Sequence, residues 1–246
     1  VLPLIGPAIK GADLAKKIYW SMLMERSVPN VGALSAVRLA HQAGSAGYVY
    51  LAVPYARTDF LRCALVDRFM QLSSNPLDTL IMLDNDHDHP DNTLARLAAY
   101  DDYPVIGALA FRRGEPYDPC AFVRLEDGKL HAMAQWEPDR VYRVDVIGHA
   151  AVAIQRRVFL HLEAEGFKQP YWRYAYTDGT TNMPSEDMHF CLSCERAKVG
   201  QYVDCGLIAP HLTNGFITDQ SWRAYLQDHP EMAGKPKEQS LAVAEA

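Results

Sequence analysis

Thr79-Leu-Ile-Met-Leu83 carries no charged group and runs straight into Asp84-Asn-Asp-His-Asp-His89. A stretch that is apolar at consecutive positions has both faces covered, the pattern of a central strand in a sheet packed on both sides. It is too short for a helix, and the acidic run that ends it must leave the sheet. Ligands in open α/β sheets bind beyond the carboxyl ends of the strands. The acidic cluster is therefore expected at the mouth of a site.

The flanking residues alternate between strand and helix spacing. Leu14, Ala15, Ile18, Met22 and Leu23 predict a helix, Tyr48–Val53 a strand, and Phe60, Leu61, Ala64, Leu65 and Phe69 a second helix. Pro90 is expected in the first turn of a helix carrying Leu94, Leu97 and Ala98. Strands are predicted at 120–124, 129–135 and 141–154. This alternation reads as an α/β fold with crossover helices. With 246 residues and 49% hydrophobic content, the chain can bury one large core over 1–227, with 228–246 as a polar tail.

No apolar run approaches the roughly 20 residues that span a bilayer. Val1-Leu-Pro-Leu-Ile lacks the basic flank of a signal peptide. The five cysteines do not form the even framework of a disulfide scaffold, so a reducing cytoplasm is expected. A formal charge of −6 gives no global attraction to nucleic acid, leaving local pairs such as Arg112-Arg113 and Arg156-Arg157 for any polyanion.

Asp84 and Asp86 are two residues apart, so in extended chain both carboxylates face one point, where a divalent cation is the natural occupant. A plainer alternative is a hydrated acidic turn. An EF-hand is excluded, because His89 and Ala95 stand where such a loop needs Gly and Glu. Ser185 is expected to cap a helix bearing Met188, Cys191, Leu192 and Glu195, with Glu186 and Asp187 in its first turn. Acids there also fit the helix dipole without any catalytic role. Tyr171, Trp172, Tyr174 and Tyr176, in a loop with Gly179, suit sugar or base stacking, or a small satellite core. His211, after Leu207-Ile-Ala-Pro210, is either a further metal ligand or structural.

In this order, with Val105–Arg113 and Asp145-Val-Ile-Gly148 between them, the pieces resemble the GT-A-fold glycosyltransferases, particularly the short family-two-like members of bacteria and phages. The similarity spans residues 48–212. It implies a single-domain GT-A-type (Rossmann-like) mixed sheet flanked by helices, with a nucleotide-sugar half over 1–110 and an acceptor half over 111–227. It also implies a metal-dependent hexosyltransferase using Mn²⁺ or Mg²⁺ and a nucleoside diphosphate sugar. Asp84-Asn85-Asp86 corresponds to the DxD metal motif and His211 to the late metal histidine. Arg57 and Arg112 fall on the donor side, although Thr58 stands where the Ala-Arg-Asn pattern has Asn. Glu186-Asp187 corresponds to the acidic pair whose second member is the base, and Gly148, Trp172, Tyr174 and Tyr176 to the acceptor side. Acceptors in such families are saccharides, lipids, proteins or, in phages, modified DNA pyrimidines.

Three other classes compete. Cys191-x-x-Cys194 with Cys205 and His211 has ligand types for a structural zinc module. His161-Leu-Glu163 with Phe190-Cys191-x-x-Cys194 approximates the zinc deaminase signature, with Phe190 in place of the proline. A nucleotidyltransferase can use the same sheet and metal, but Gly6-Pro-Ala-Ile-Lys-Gly11 is a poor phosphate-cradling loop.

Overall fold

The computed structural model describes residues 15–23, 30–53, 56–174, 185–213 and 215–232. At its centre β3 (Thr79–Asp84) buries both faces as its sequence requires: Leu80 and Met82 enter one apolar cluster, Ile81 and Leu83 the other. On one side it pairs in parallel with β1 (Ile18–Leu23), which in turn pairs with the short edge strand β2 (Val49–Tyr50). On the other side it meets β9 (Ala151–Gln155), antiparallel to both β3 and β4 (Val105–Leu109). The sheet continues through β10 (Gln201–Ile208), parallel to β4, to β7 (Val141–Val144), antiparallel at the far edge.

The result is the expected α/β architecture, a mixed sheet of order β2-β1-β3-β9-β4-β10-β7 flanked by helices. α1 (Asn30–Ser45) and α3 (Thr93–Ala98) cover one face with Leu39, Ala43, Leu94 and Leu97. The other face is covered by α2 (Thr58–Leu72), α4 (Arg156–Ala164) and α5 (Glu186–Arg196), through Leu61, Leu65, Phe69, Phe159, Leu162 and Phe190. A three-stranded sheet of β6 (Leu130–Ala132), β5 (Ala121–Arg124) and β8 (Val146–Ile147) lies outside it. The hairpin β11 (His211–Leu212) and β12 (Phe216–Ile217) leads into α6 (Asp219–Asp228). No helix among the described residues is long and apolar enough to cross a membrane.

Three expectations are corrected. Residues 18–23 form a strand, not a helix: all six are buried, so both faces are used and the helix-like spacing of Ile18, Met22 and Leu23 is incidental. The run 141–154 is three strands, because the chain turns away after Val144 and again after Ile147 and re-enters the sheet as β9. α3 starts at Thr93, so Pro90 lies in the preceding turn, its carbonyl accepting from Thr93.

One glycine fixes how α1 meets the site. A Cβ at Gly32 would collide with the backbone carbonyl of Asn85, which no side-chain rotation can relieve. Gly32→Ala is therefore expected to destabilise by about 1–3 kcal/mol through overpacking, more than offsetting the roughly 1 kcal/mol that alanine otherwise gains in a helix. A thermal melt checks this; an unchanged or raised Tm contradicts the packing.

Candidate active site

The loop after β3 is held from two sides. Leu212 N–H donates to the Asp86 carbonyl (2.9 Å) and Asp88 N–H to the Pro210 carbonyl (3.0 Å), bridging His87 to His211. From α1, Ser35 Oγ accepts from His89 N–H (2.9 Å) and Arg38 donates to Asp88 Oδ1 (2.8 Å). His89 itself is fully buried, with Nε2 bonded to the Asp84 carbonyl (2.7 Å).

Asp86, His87 and His211 each offer a ligand atom, all within 4.8 Å of one another. The two imidazoles stack at 4.1 Å and 18°. His211 Nδ1–H donates to the Phe111 carbonyl (3.0 Å), which leaves the Nε2 lone pair facing Asp86 Oδ2 at 3.5 Å. His87 Nδ1 lies 2.8 Å from Asp86 Oδ1 but out of line for a hydrogen bond, and neither buried ring nitrogen of His87 has a hydrogen-bond partner. Burial, reinforced by His211 and Arg62, pushes the His87 pKa well below the usual histidine range. Burial lowers His211 as well, against the Phe111 hydrogen bond. Both rings are thus neutral at pH 7, the state in which imidazole ligates metals.

A buried imidazole with no hydrogen bond calls for an unseen partner, and one oxygen with two nitrogens suits a divalent cation. The exposed Arg113 guanidinium already places a positive charge there, donating to Asp86 and, through Nε, to His211 Nε2 at 2.6 Å. The residues therefore fit a metal ion. Asp84 is not among them, although the spacing placed it beside Asp86.

Asp84 instead turns toward Arg62. This arginine of α2 is completely buried and donates to Asp84 Oδ1 (2.9 Å), to Glu186 Oε1 (3.0 Å) and to Asp187. Burial disfavours the charged guanidinium, but the three carboxylates outweigh it and raise its pKa. Burial pushes the Asp84 carboxyl up to about 7 against the pull of Arg62. Glu186 is raised too, by burial and then by Asp187.

His149 closes this second cluster. Its backbone N–H donates to Asp187 Oδ2 (3.1 Å), and its Nδ1 accepts from Trp172 Nε1 (3.0 Å), since an indole only donates. Burial, then Arg62, keeps its imidazole neutral. Ser185 caps α5 as predicted, accepting from Met188 N–H, and so aims Glu186 and Asp187 at Arg62.

The other expected site residues are distributed differently. Asn85 is buried with its carbonyl against Gly32. Arg57, just before α2, grips Asp59 with two 2.6 Å bonds and lies 5.2 Å from the rings of Phe60 and Tyr174. Arg112 points to Asp118, so Arg113 is the arginine at the Asp86–His87–His211 cluster. Gly148 packs against Cys120, where an added Cβ would come within 2.8 Å of Cys120 Cβ, so it has a packing role. Trp172 is 1% exposed and stacks on Phe190 at 4.4 Å and 3°, which makes it core and not an acceptor platform. Tyr174 bonds to Glu186, and Tyr176 lies outside the described residues.

The zinc alternatives do not assemble among the described residues. Cys191 Sγ points to the Ile147 carbonyl (3.5 Å) and His149 (3.6 Å), and no cysteine belongs to a converging group of three or more ligand-type side chains among the described residues. His161 is bonded to the Ala197 carbonyl (2.8 Å), and Glu163 accepts from Tyr171 (3.2 Å).

No family model and no curated protein matches the sequence. Among solved structures the chain is similar to A197 from STIV, with 17% identity, 80% of this chain and 86% of that chain covered, and a TM-score of 0.50. It also aligns with a Drosophila β-1,4-galactosyltransferase 7 mutant in complex with manganese, UDP-Gal and xylobiose, at 14% identity, 92% and 82% coverage and a TM-score of 0.42. A third is the inositol-1-phosphate CTP transferase from T. maritima, at 10% identity, 79% and 85% coverage and a TM-score of 0.40. At such identities the likeness concerns the fold alone, and only the first of these three reaches a TM-score of 0.5.

Proposed function

We propose that the chain is a metal-dependent glycosyltransferase that moves a sugar from a nucleoside diphosphate sugar to an acceptor hydroxyl. The observation that carries this reading is the pairing, at the carboxyl end of β3, of a convergent aspartate–histidine cluster (Asp86, His87, His211) with a separate carboxylate cluster ending in Asp187. When bound, Mn²⁺ or Mg²⁺ would neutralise charge developing on the departing diphosphate. Asp86, His87 and His211 would hold that ion, and Arg113, beside them, would supply a guanidinium for the diphosphate oxygens. Arg57 and Asn85 belong to the donor side of this reading.

Asp187 is the general base. Its side chain is 19% exposed against 10% for Glu186, and the His149 amide and Arg62 fix the carboxylate in place. Glu186, tied to Arg62 and Tyr174, orients the start of α5. Asp187→Asn keeps shape and removes basicity, so turnover is expected to fall by roughly 10²–10⁴-fold while donor binding survives. Glu186→Gln should lower turnover less. Turnover and donor affinity of both variants decide the roles; a near-normal Asp187→Asn enzyme excludes Asp187 as base.

A further inference from the structure

A second aromatic surface lies one ring away from His211. Phe111, whose carbonyl holds the His211 Nδ1–H, faces Trp136 with ring centroids 6.1 Å apart. Trp136 in turn packs on Trp222 of α6 at 5.1 Å and 30°. These two indoles floor an open cavity of about 390 Å³ rimmed by Gln135, Arg223 and Gln227. All three rim residues are exposed.

We propose that this cavity binds a neutral saccharide unit of the acceptor, an inference that rests on the transferase reading above. A pyranose presents a C–H face that packs on an aromatic ring and a hydroxyl edge that both donates and accepts. Carboxamides match that edge because each carries a donor and an acceptor in one group, and a guanidinium adds donors. Among the described residues the rim has a single cation, Arg223, which lies 5.7 Å from the Trp136 ring and 3.4 Å from Asp219, so its charge is balanced locally. Such a rim gives no phosphate track, which sets a sugar apart from a DNA acceptor. Through the core, Phe111 links the cavity to the Asp86–His87–His211 cluster, its ring meeting Trp136 and its carbonyl holding His211.

The protein's own fluorescence reads this site, because Trp20 and Trp172 are buried away from it while Trp136 and Trp222 line it. The full chain is titrated with methyl glycosides of glucose, galactose, xylose and N-acetylglucosamine and with their disaccharides. At least one is expected to give a saturable change, and Gln227→Ala and Trp136→Ala are each expected to weaken it about tenfold, the scale of one lost neutral hydrogen bond or ring contact. Gln227 is exposed, so its variant should keep the wild-type Tm even if Trp136→Ala does not fold. No saturable response, or equal binding by Gln227→Ala and wild type, overturns the proposal, as does competition for the cavity by duplex DNA. Metal-dependent hydrolysis of nucleotide sugars without acceptor is measured in parallel. Hydrolysis without saccharide binding sinks the cavity alone, and saccharide binding without hydrolysis upholds the cavity and sinks the transferase reading.

Discussion

Replacing Arg62 with methionine is expected to lower the unfolding free energy by about 3–5 kcal/mol, the usual penalty for breaking a buried ion pair from one side. Methionine retains the apolar stem but leaves Asp84, Glu186 and Asp187 facing one another without their common counter-ion. Against a total stability of about 5–15 kcal/mol, that is a large loss. It should depend on pH. Burial already raises Asp84 to about 7, and removing Arg62 raises it further. The folded state then binds protons that the unfolded carboxyls, with pKa near 4, do not. Stability of the variant therefore falls as pH climbs from about 4 through 7, and the deficit against wild type is smaller at pH 5 than at pH 7.5. Urea unfolding at both pH values measures this; a deficit under about 1 kcal/mol, or one independent of pH, shows that the arginine is not what holds the carboxylates together.

Asp86→Ala is expected to reduce metal-dependent turnover by at least about 10²-fold, the scale of removing one preorganised group that stabilises transition-state charge. The side chain is 26% exposed, and its loss leaves the exposed Arg113 still bonded to His211, so the melting curve should stay close to wild type. Turnover as a function of manganese concentration is the readout. A variant with the wild-type activation curve removes Asp86 from the metal site and with it the role given to His87 and His211.

Much of this was legible in the sequence. Thr79–Leu83 reads as a buried central strand and forms one, and the abrupt acidic run after it marks where the candidate site is proposed. Ser185 followed by two acids and helix-spaced apolar residues gave α5 and its cap. What escaped depended on pairing between distant segments. Ile18–Leu23 is equally compatible with helix and strand spacing, and only parallel pairing with β3 and burial on both faces decide for the strand. Arg62 sits one position past Leu61 on a helix, where an arginine normally reaches solvent. Its burial follows from carboxylates contributed by β3 and α5. His87 was hidden by the Asp84–Asp86 alternation, because the short bridge to His211, and not strand geometry, sets which side chains meet. Trp172 showed that an aromatic loop segment is as readily core as platform, while Trp136 and Trp222, far apart in sequence, form a surface that spacing does not reveal.

The most direct test is which phosphate leaves. The protein is incubated with Mn²⁺ and, separately, with nucleotide sugars and nucleoside triphosphates, and the released nucleoside diphosphate and pyrophosphate are quantified with and without EDTA. The glycosyltransferase reading predicts nucleoside diphosphate from at least one nucleotide sugar, abolished by EDTA and by Asp86→Ala. Pyrophosphate release from triphosphates, with no nucleoside diphosphate from any nucleotide sugar, would contradict it and assign the site to nucleotidyl transfer.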